Sequence, residues 1–479
     1  MKTWSLLVPI TAFACSGAPS GTEEHTEPPP PAGAGVALSE PVRLTGGLPA
    51  IAGVTSDDFV AYRETGGLSA IAMQGGAQPM LITDRPGTTL VSGKVVFAWA
   101  DVDWTTNLGN LGVWSAATGP LHVGITLFLE GTAGASASGT YVLYTTNVTE
   151  TTVDIVVART DMTQMSTLVA GVGRGSETTC AARYGFVGER IFVGSCSVGS
   201  TSATVVRYEA DAQGVWQPTQ IASDSRSLWS ASADGERVAI IDSRSVVNWW
   251  EAGQLRPIDD GVAWAKMLPD ASAVLYTAGD QLRRADLPSG IPVPIVTVGF
   301  RNQADWSPDF SQVLYSTQVT YEAGTRRDLR LTSTQIYNPE PLSLVAEPTA
   351  SISRSAFTKD SAYTMYLTDV TAERRSTLNL RPIAGGETRT IPNVDTVLAL
   401  SGSIIVYSAD RTDPNKYPVK ATLSALNTAH GEPVLIEDTI MDGRAFATNA
   451  AGDKIVYVRV DADHDREGIY VQNIAAAQE

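Results

Sequence analysis

Few residues of this chain are suited to chemistry, and their spacing narrows what they can do. In the run Asp461-Ala462-Asp463-His464-Asp465-Arg466-Glu467-Gly468, carboxylates alternate on a short hairpin. Asp461, Asp463 and Asp465 could converge oxygens on one hard cation such as calcium. The run lacks the glycine and the distant closing glutamate of an EF-hand loop, so the plainer reading is an acidic, solvated turn. Asp101-Val102-Asp103 and Asp410-Arg411-Thr412-Asp413 read the same way. The four histidines, His25, His122, His430 and His464, include no pair at metal-binding spacing, so no zinc site is expected. Gly171-Val172-Gly173-Arg174-Gly175 lies between strands rather than opening a helix, which makes it a loop and not a phosphate cradle. No Gly-x-Ser-x-Gly elbow supplies a hydrolase nucleophile. Trp99, Trp104, Trp114, Trp249 and Trp250 could stack on sugars or on a partner's prolines, although a β core consumes such aromatics as packing. No cofactor and no enzymatic reaction are expected from this inventory, with calcium the single candidate ion.

Cys180 and Cys196 flank Gly188 symmetrically. A turn centred near Gly188 sets them facing on paired strands, where an oxidising compartment favours a disulfide worth about 3 kcal/mol in the chain-entropy model. The alternative is two separate buried thiols. Cys15 is then the odd cysteine. It follows an export-like start, with Lys2, an apolar run from Trp4 to Phe13, and the small-x-small pattern Ala12-Phe13-Ala14.

This start resembles a bacterial lipoprotein signal, which implies that Cys15 becomes the lipid-bearing first residue. Ser16 after it implies sorting to the outer membrane. Ala12 stands where such signals usually carry leucine, and Phe13 is bulky, so ordinary cleavage after Ala14 into the periplasm stays open. Residues 1–14 read as the signal. Residues 15–36, with Pro28 to Pro31 and Gly17, Gly21 and Gly33, carry too little apolar surface to fold and read as a tether. No later segment is apolar for the ~20 residues that a helix needs to cross a bilayer, so contact with a membrane is expected only through the lipid. The net charge of -17 argues against nucleic acid, whose phosphates need basic stripes.

From residue 37 to 479 the chain reads as all-β, with short β-branched and aromatic runs parted by Gly, Asp, Asn and Pro. One strand type recurs about every 35 to 51 residues: Phe59-Val60-Ala61-Tyr62, Val95-Val96-Phe97, Tyr141-Val142-Leu143-Tyr144, Ile191-Phe192-Val193, Val238-Ala239-Ile240-Ile241, Val274-Leu275-Tyr276, Val313-Leu314-Tyr315, Thr364-Met365-Tyr366, Ile405-Val406-Tyr407 and Ile455-Val456-Tyr457. Each is followed by an alternating strand and then by a strand that often begins with proline, as in Pro79-Met80-Leu81-Ile82 and Pro433-Val434-Leu435-Ile436. The spacing is that of four-stranded propeller blades, about eight to ten of them, in one ring or two. The last copy lacks a fourth strand, and Pro41-Val42-Arg43-Leu44 is a fourth strand without a blade, so the two are expected to pair and close a ring.

Trp306-Ser307-Pro308-Asp309, Phe357-Thr358-Lys359-Asp360 and Ser232-Ala233-Asp234-Gly235 precede these runs. They are similar to the aromatic-Ser-Pro-Asp-Gly turn of TolB-type propeller repeats, most clearly between residues 225 and 475. The α/β domain that precedes the TolB propeller has no counterpart here, nor does the hydrolase domain of prolyl oligopeptidase-type chains. The expectation is a monomeric scaffold that holds an envelope protein or peptide. The alternatives are a carboxylate- or calcium-dependent lyase or hydrolase, and a glycan or small-ligand binder, in the propeller funnel.

Overall fold

The recurring apolar runs do not alternate with polar residues, which a strand tolerates only where both of its faces are covered. The computed structural model shows why. It describes residues 35–477 apart from 86, 129–132, 174–182, 198–199, 298–299, 322–323, 336–340, 345–351, 369–375, 413–418, 442–444 and 462–463. The signal, Cys15 and all but the last two residues of the tether therefore lie outside the described residues. Within them the chain forms ten four-stranded antiparallel blades and no helix. Five stand as separate sheets, spanning 50–83, 88–127, 134–173, 262–297 and 300–343. Blades 4 and 5 (183–259) share the long strand Trp216–Ala231, and blades 8 and 9 (352–441) share Arg389–Ala399.

Each repeated run lies on the second strand of its blade. Apart from the leading Phe59 and Tyr141, which are partly exposed, its side chains are buried, as in Val274, Leu275 and Tyr276. They enter apolar clusters that form between consecutive blades, from Ala61 and Leu68 of blade 1 against Val96 and Trp114 of blade 2 onward. The sequence of clusters passes through every blade. The tenth cluster joins Val456, Val458, Ile469 and Val471 of the last blade to Val60, Tyr62 and Ile71 of the first. The blades therefore make one ring. In two blades the closing tyrosine adds a polar tie to the outer strand of the preceding blade. Tyr276 donates its hydroxyl to Asp259 Oδ2 at 3.0 Å, and Tyr366 donates to the carbonyl of Leu344 at 2.7 Å. Burying each such ring contributes roughly 2–3 kcal/mol.

Closure follows the expected pairing. Val42–Gly46 runs antiparallel to Gly468–Ala476, with Val42 opposite Val471 and Gly46 opposite Gly468. A further short strand, Val36–Leu38, extends it, with Val36 opposite Ala476. The amide of Ala477 donates to the carbonyl of Gly35 at 2.9 Å, so both ends of the described chain leave the ring together.

The turns between first and second strands form a hydrogen-bonded belt on one face. In Ser307-Pro308-Asp309, Ser307 Oγ donates to Asp309 Oδ1 at 2.6 Å and accepts from the amide of Gln312 at 2.9 Å. Ser232 with Asp234 and Thr358 with Asp360 repeat this geometry. In every blade one residue of this turn is left-handed: Asp58, Gly93, Gly139, Gly188, Gly235, Ala271, Phe310, Ser361, Gly402 or Gly452. That requirement explains the Asp-Gly signature in the repeats. The belt then passes from blade to blade, with the amides of Ser56, Ala137 and Ala233 donating to the carbonyls of Gly93, Gly188 and Pro269 at 2.8 to 3.1 Å. At the closure, Asn449 Nδ2 donates to Asp58 Oδ1 at 3.1 Å, and Lys454 pairs with Asp58 Oδ2.

A chain lacking residues 35–46 is expected to melt several degrees below the intact protein. It should also self-associate, because Gly468–Ala476 would present an unpaired edge. Melting curves and size-exclusion chromatography check this, and an unchanged, monomeric product would contradict the assigned closure.

Candidate functional site

First strands of neighbouring blades approach one another, as Ala50–Val54 does with Thr88–Ser92 and with Phe446–Thr448, and Phe300–Trp306 with Ile352–Phe357. They are therefore the inner wall of the ring, and the proline-bearing fourth strands are its rim. Along most of that wall the described side chains are small or aliphatic, such as Gly53, Leu90, Ala135, Val397 and Ala447. Phe357 of blade 8 and Phe446 of blade 10 are buried, whereas four adjacent blades carry less buried aromatics. Blade 4 contributes Tyr184 and Phe186, blade 5 Trp229, blade 6 Trp264 and blade 7 Trp306, all half-buried.

Local packing holds these aromatics in place. Trp264 and Trp306 lie parallel, with ring centroids 6.0 Å apart and planes 8° from each other. Trp229 packs on Phe192 at 5.1 Å and donates its indole N–H to the carbonyl of Arg183 at 3.4 Å. The Arg183 guanidinium sits 5.5 Å above the Trp229 ring, a cation on an aromatic face. Burial lowers the pKa of Arg183. On blade 7, Asp305 has an exposed surface, and desolvation by the surrounding protein raises its carboxyl pKa. The hydroxyl of Ser355, which donates at 2.8 Å, and the charge of Lys266 oppose the shift. The arc thus combines flat apolar surface, cations and one carboxylate on a rigid frame.

A funnel enzyme would bring several shifted acids together. Among the described residues the other carboxyl with a raised pKa is Glu437, pushed to about 7. Burial is the main cause, a hydrogen bond with Asp438 adds to it, and Arg459 opposes it. Glu437 lies on the outer strand of blade 9, with Arg459 Nη1 at 3.4 Å, and does not meet Asp305. A second feature, beside Cys196, is a pocket of about 190 Å³ walled by Ser195, Ser200, Ser202, Thr204 and Ser223, which offers hydroxyls and no charged group.

The residues singled out from the sequence separate clearly. Cys196 is buried and disulfide-bonded, while Cys180 lies outside the described residues. The turn between its flanking strands does fall at Gly188, with Val187 paired to Arg190. Of the acidic hairpin, Asp463 lies outside the described residues. Arg43 of the closing strand donates to the carbonyls of Asp465 and Glu467, and the Tyr470 hydroxyl donates to that of Arg466 at 2.8 Å. His464 Nδ1 and Glu467 Oε1 lie 2.8 Å apart. Among the described residues no group of three His, Cys, Asp or Glu side chains could hold a metal ion. Trp99, Trp114, Trp249 and Trp250 are core residues, whereas Trp104 is 67% exposed and packs edge-on against Phe128 at 4.9 Å. The inner arc itself went unmarked, apart from Trp306 as part of a turn signature. Its usable signal is position: an aromatic within the few residues that precede each belt turn.

No family model matches the chain, and no curated protein does. Solved structures resemble it at low identity. A eukaryotic initiation factor aligns over 85% of this chain and 97% of its own, at 10% identity and a TM-score of 0.47. The tricorn protease aligns over 90% of this chain and 54% of its own, at 10% identity and a TM-score of 0.30. A prolyl endopeptidase aligns over 63% and 51%, at 12% identity and a TM-score of 0.34.

Glu437 supplies a pH test of this electrostatic picture. A carboxyl near 7 in the folded chain and near its ordinary value when unfolded favours the fold most at low pH. That contribution is lost as pH rises from the ordinary carboxylate range through about 7. The melting temperature is expected to fall over that window, and Glu437→Gln should flatten the slope. An identical slope in the variant would contradict the assignment.

Proposed function

We propose that this chain is an exported, lipid-anchored propeller of the bacterial envelope, of TolB-like repeat type, that holds a partner protein or peptide and performs no reaction of its own. The observation that carries this reading is the inner arc of Tyr184, Phe186, Trp229, Trp264 and Trp306. It sets half-buried aromatic rings on four adjacent blades, with Trp264 and Trp306 stacked on each other, and such rings supply rigid contact area in recognition sites. Cys15 is the lipid-bearing residue, the segment 15–36 is the tether, and the destination is the outer membrane or, without lipid, the periplasm. Cys196 pairs with Cys180, as an oxidising compartment allows.

The chain functions as a monomer and needs no cofactor. At the acidic hairpin a protein cation, Arg43, already holds the carbonyls of Asp465 and Glu467, which leaves calcium a secondary reading for Asp461, Asp463 and Asp465. Arg43→Ala is expected to lower the melting temperature, and added calcium should not restore it. Restoration by calcium would favour the ion-dependent reading.

The scaffold role is tested by recovering the tagged protein from its native envelope and applying mass spectrometry to its amino terminus and to co-purified proteins. A diacylated Cys15 with one reproducible partner is the expected result. An unmodified terminus and no partner would overturn the anchored-scaffold reading.

A further inference from the structure

On blade 3 a buried tyrosine hydroxyl ends on the sulfur of an exposed methionine. Tyr144 lies on the second strand, Tyr141–Thr146, and is 1% exposed, in the apolar cluster that Val142, Val156 and Ala158 form with Val95 and Phe97 of blade 2. Its hydroxyl reaches across the third strand, Thr152–Arg159, and donates to Met165 Sδ at 3.2 Å. Burial raises the Tyr144 pKa, so the hydroxyl stays a donor at neutral pH. Met165 opens the outer strand Met165–Gly173 opposite Ala158, and it is 67% exposed. Among the other described methionines, Met80 is 37% exposed, Met162 and Met441 are half-buried, and Met73, Met267 and Met365 are buried. The blade 2–blade 3 core thus fixes the donor, and the edge of the blade opens the acceptor to solvent.

We propose that Met165 is an oxidation site for peroxides, at which Tyr144 occupies one sulfur lone pair and directs oxygen to the other, so that the folded chain forms one sulfoxide epimer. A thioether sulfur carries two lone pairs and accepts hydrogen bonds weakly, which leaves the second pair nucleophilic. That pair attacks a peroxide oxygen. The S–O bond forms as the O–O bond breaks; sulfur gives up two electrons, and the peroxide's other oxygen takes them and leaves, once protonated, as water or an alcohol. The product is polar and chiral, and its two epimers are reduced by separate enzymes. A methionine with no such contact offers both lone pairs and yields both epimers. Met165 is set apart by a donor held in place by the packing of two blades. The site lies on the rim, away from the inner wall, and stands independently of the scaffold reading.

The test is brief treatment of the folded, full chain with hydrogen peroxide, followed by peptide mass spectrometry. The digested peptides are then treated separately with the A-type and B-type methionine sulfoxide reductases, which accept opposite epimers. Met165 is expected to be oxidised ahead of Met80 and of the buried methionines, and one reductase alone should clear nearly all of its sulfoxide. The same chain oxidised in urea should need both enzymes, each clearing about half. Tyr144→Phe keeps the ring and removes the hydroxyl, and Met165 of that variant should likewise need both. Oxidation of Met80 as fast as Met165 would overturn the proposal, as would Met165 sulfoxide of the folded wild type that divides evenly between the two reductases. Selectivity unchanged in a folded Tyr144→Phe chain would assign it to the strand rather than the hydroxyl and would overturn the proposal too. The comparison of folded with urea-treated wild type depends on no variant.

Discussion

Pairing of Val42–Gly46 with Gly468–Ala476 is the contact on which the rest of the ring depends. A blade in isolation exposes two apolar faces, and only its neighbours can cover them. In an open row the two end blades would each leave such a face in water, here Val60 and Tyr62 at one end and Val456 and Ile469 at the other. Drawing the last blade's outer strand from the start of the chain turns two liabilities into one more interface. The belt of turns reinforces that join through Asp58, Asn449 and Lys454. Arg43 belongs to the same joint: from the closing strand it reaches the carbonyls of Asp465 and Glu467 and fixes the hairpin beside it.

This division of labour explains what could be read from the amino acids. The second strands were legible because burial on both faces forces an unbroken apolar run, and Val274-Leu275-Tyr276 carries that mark without its neighbours. The fourth strands were legible through proline, which the ladder tolerates only at an edge. The closing strand could be recognised because Pro41-Val42-Arg43-Leu44 had no blade to belong to. The inner strands were not legible. Gly134–Ala135 and Phe446–Thr448 are too short to show a period, and in Trp216–Ala231 and Arg389–Ala399 one strand serves two blades, which erases the boundary. The aromatic arc was hidden for the same reason: Trp229, Trp264 and Trp306 become neighbours only when successive blades stand side by side.

The ring also separates stability from recognition. Belt turns and second strands carry repeated, interchangeable geometry, and their substitutions act on folding. The inner wall breaks the repeat, since the half-buried aromatics Tyr184, Phe186, Trp229, Trp264 and Trp306 collect on blades 4 to 7, whereas Phe357 and Phe446 of the remaining first strands are buried. A structural repeat has no need of that asymmetry, which is why the wall rather than the rim is assigned the recognition role.

The single closed ring is tested most directly by hydrogen–deuterium exchange of the intact chain. Amides in residues 42–46 should be protected as strongly as those of Gly468–Ala476, and both should exchange in one cooperative opening with the second strands of blades 1 and 10. Exchange of residues 42–46 within seconds, while Gly468–Ala476 stays protected, would contradict the ring.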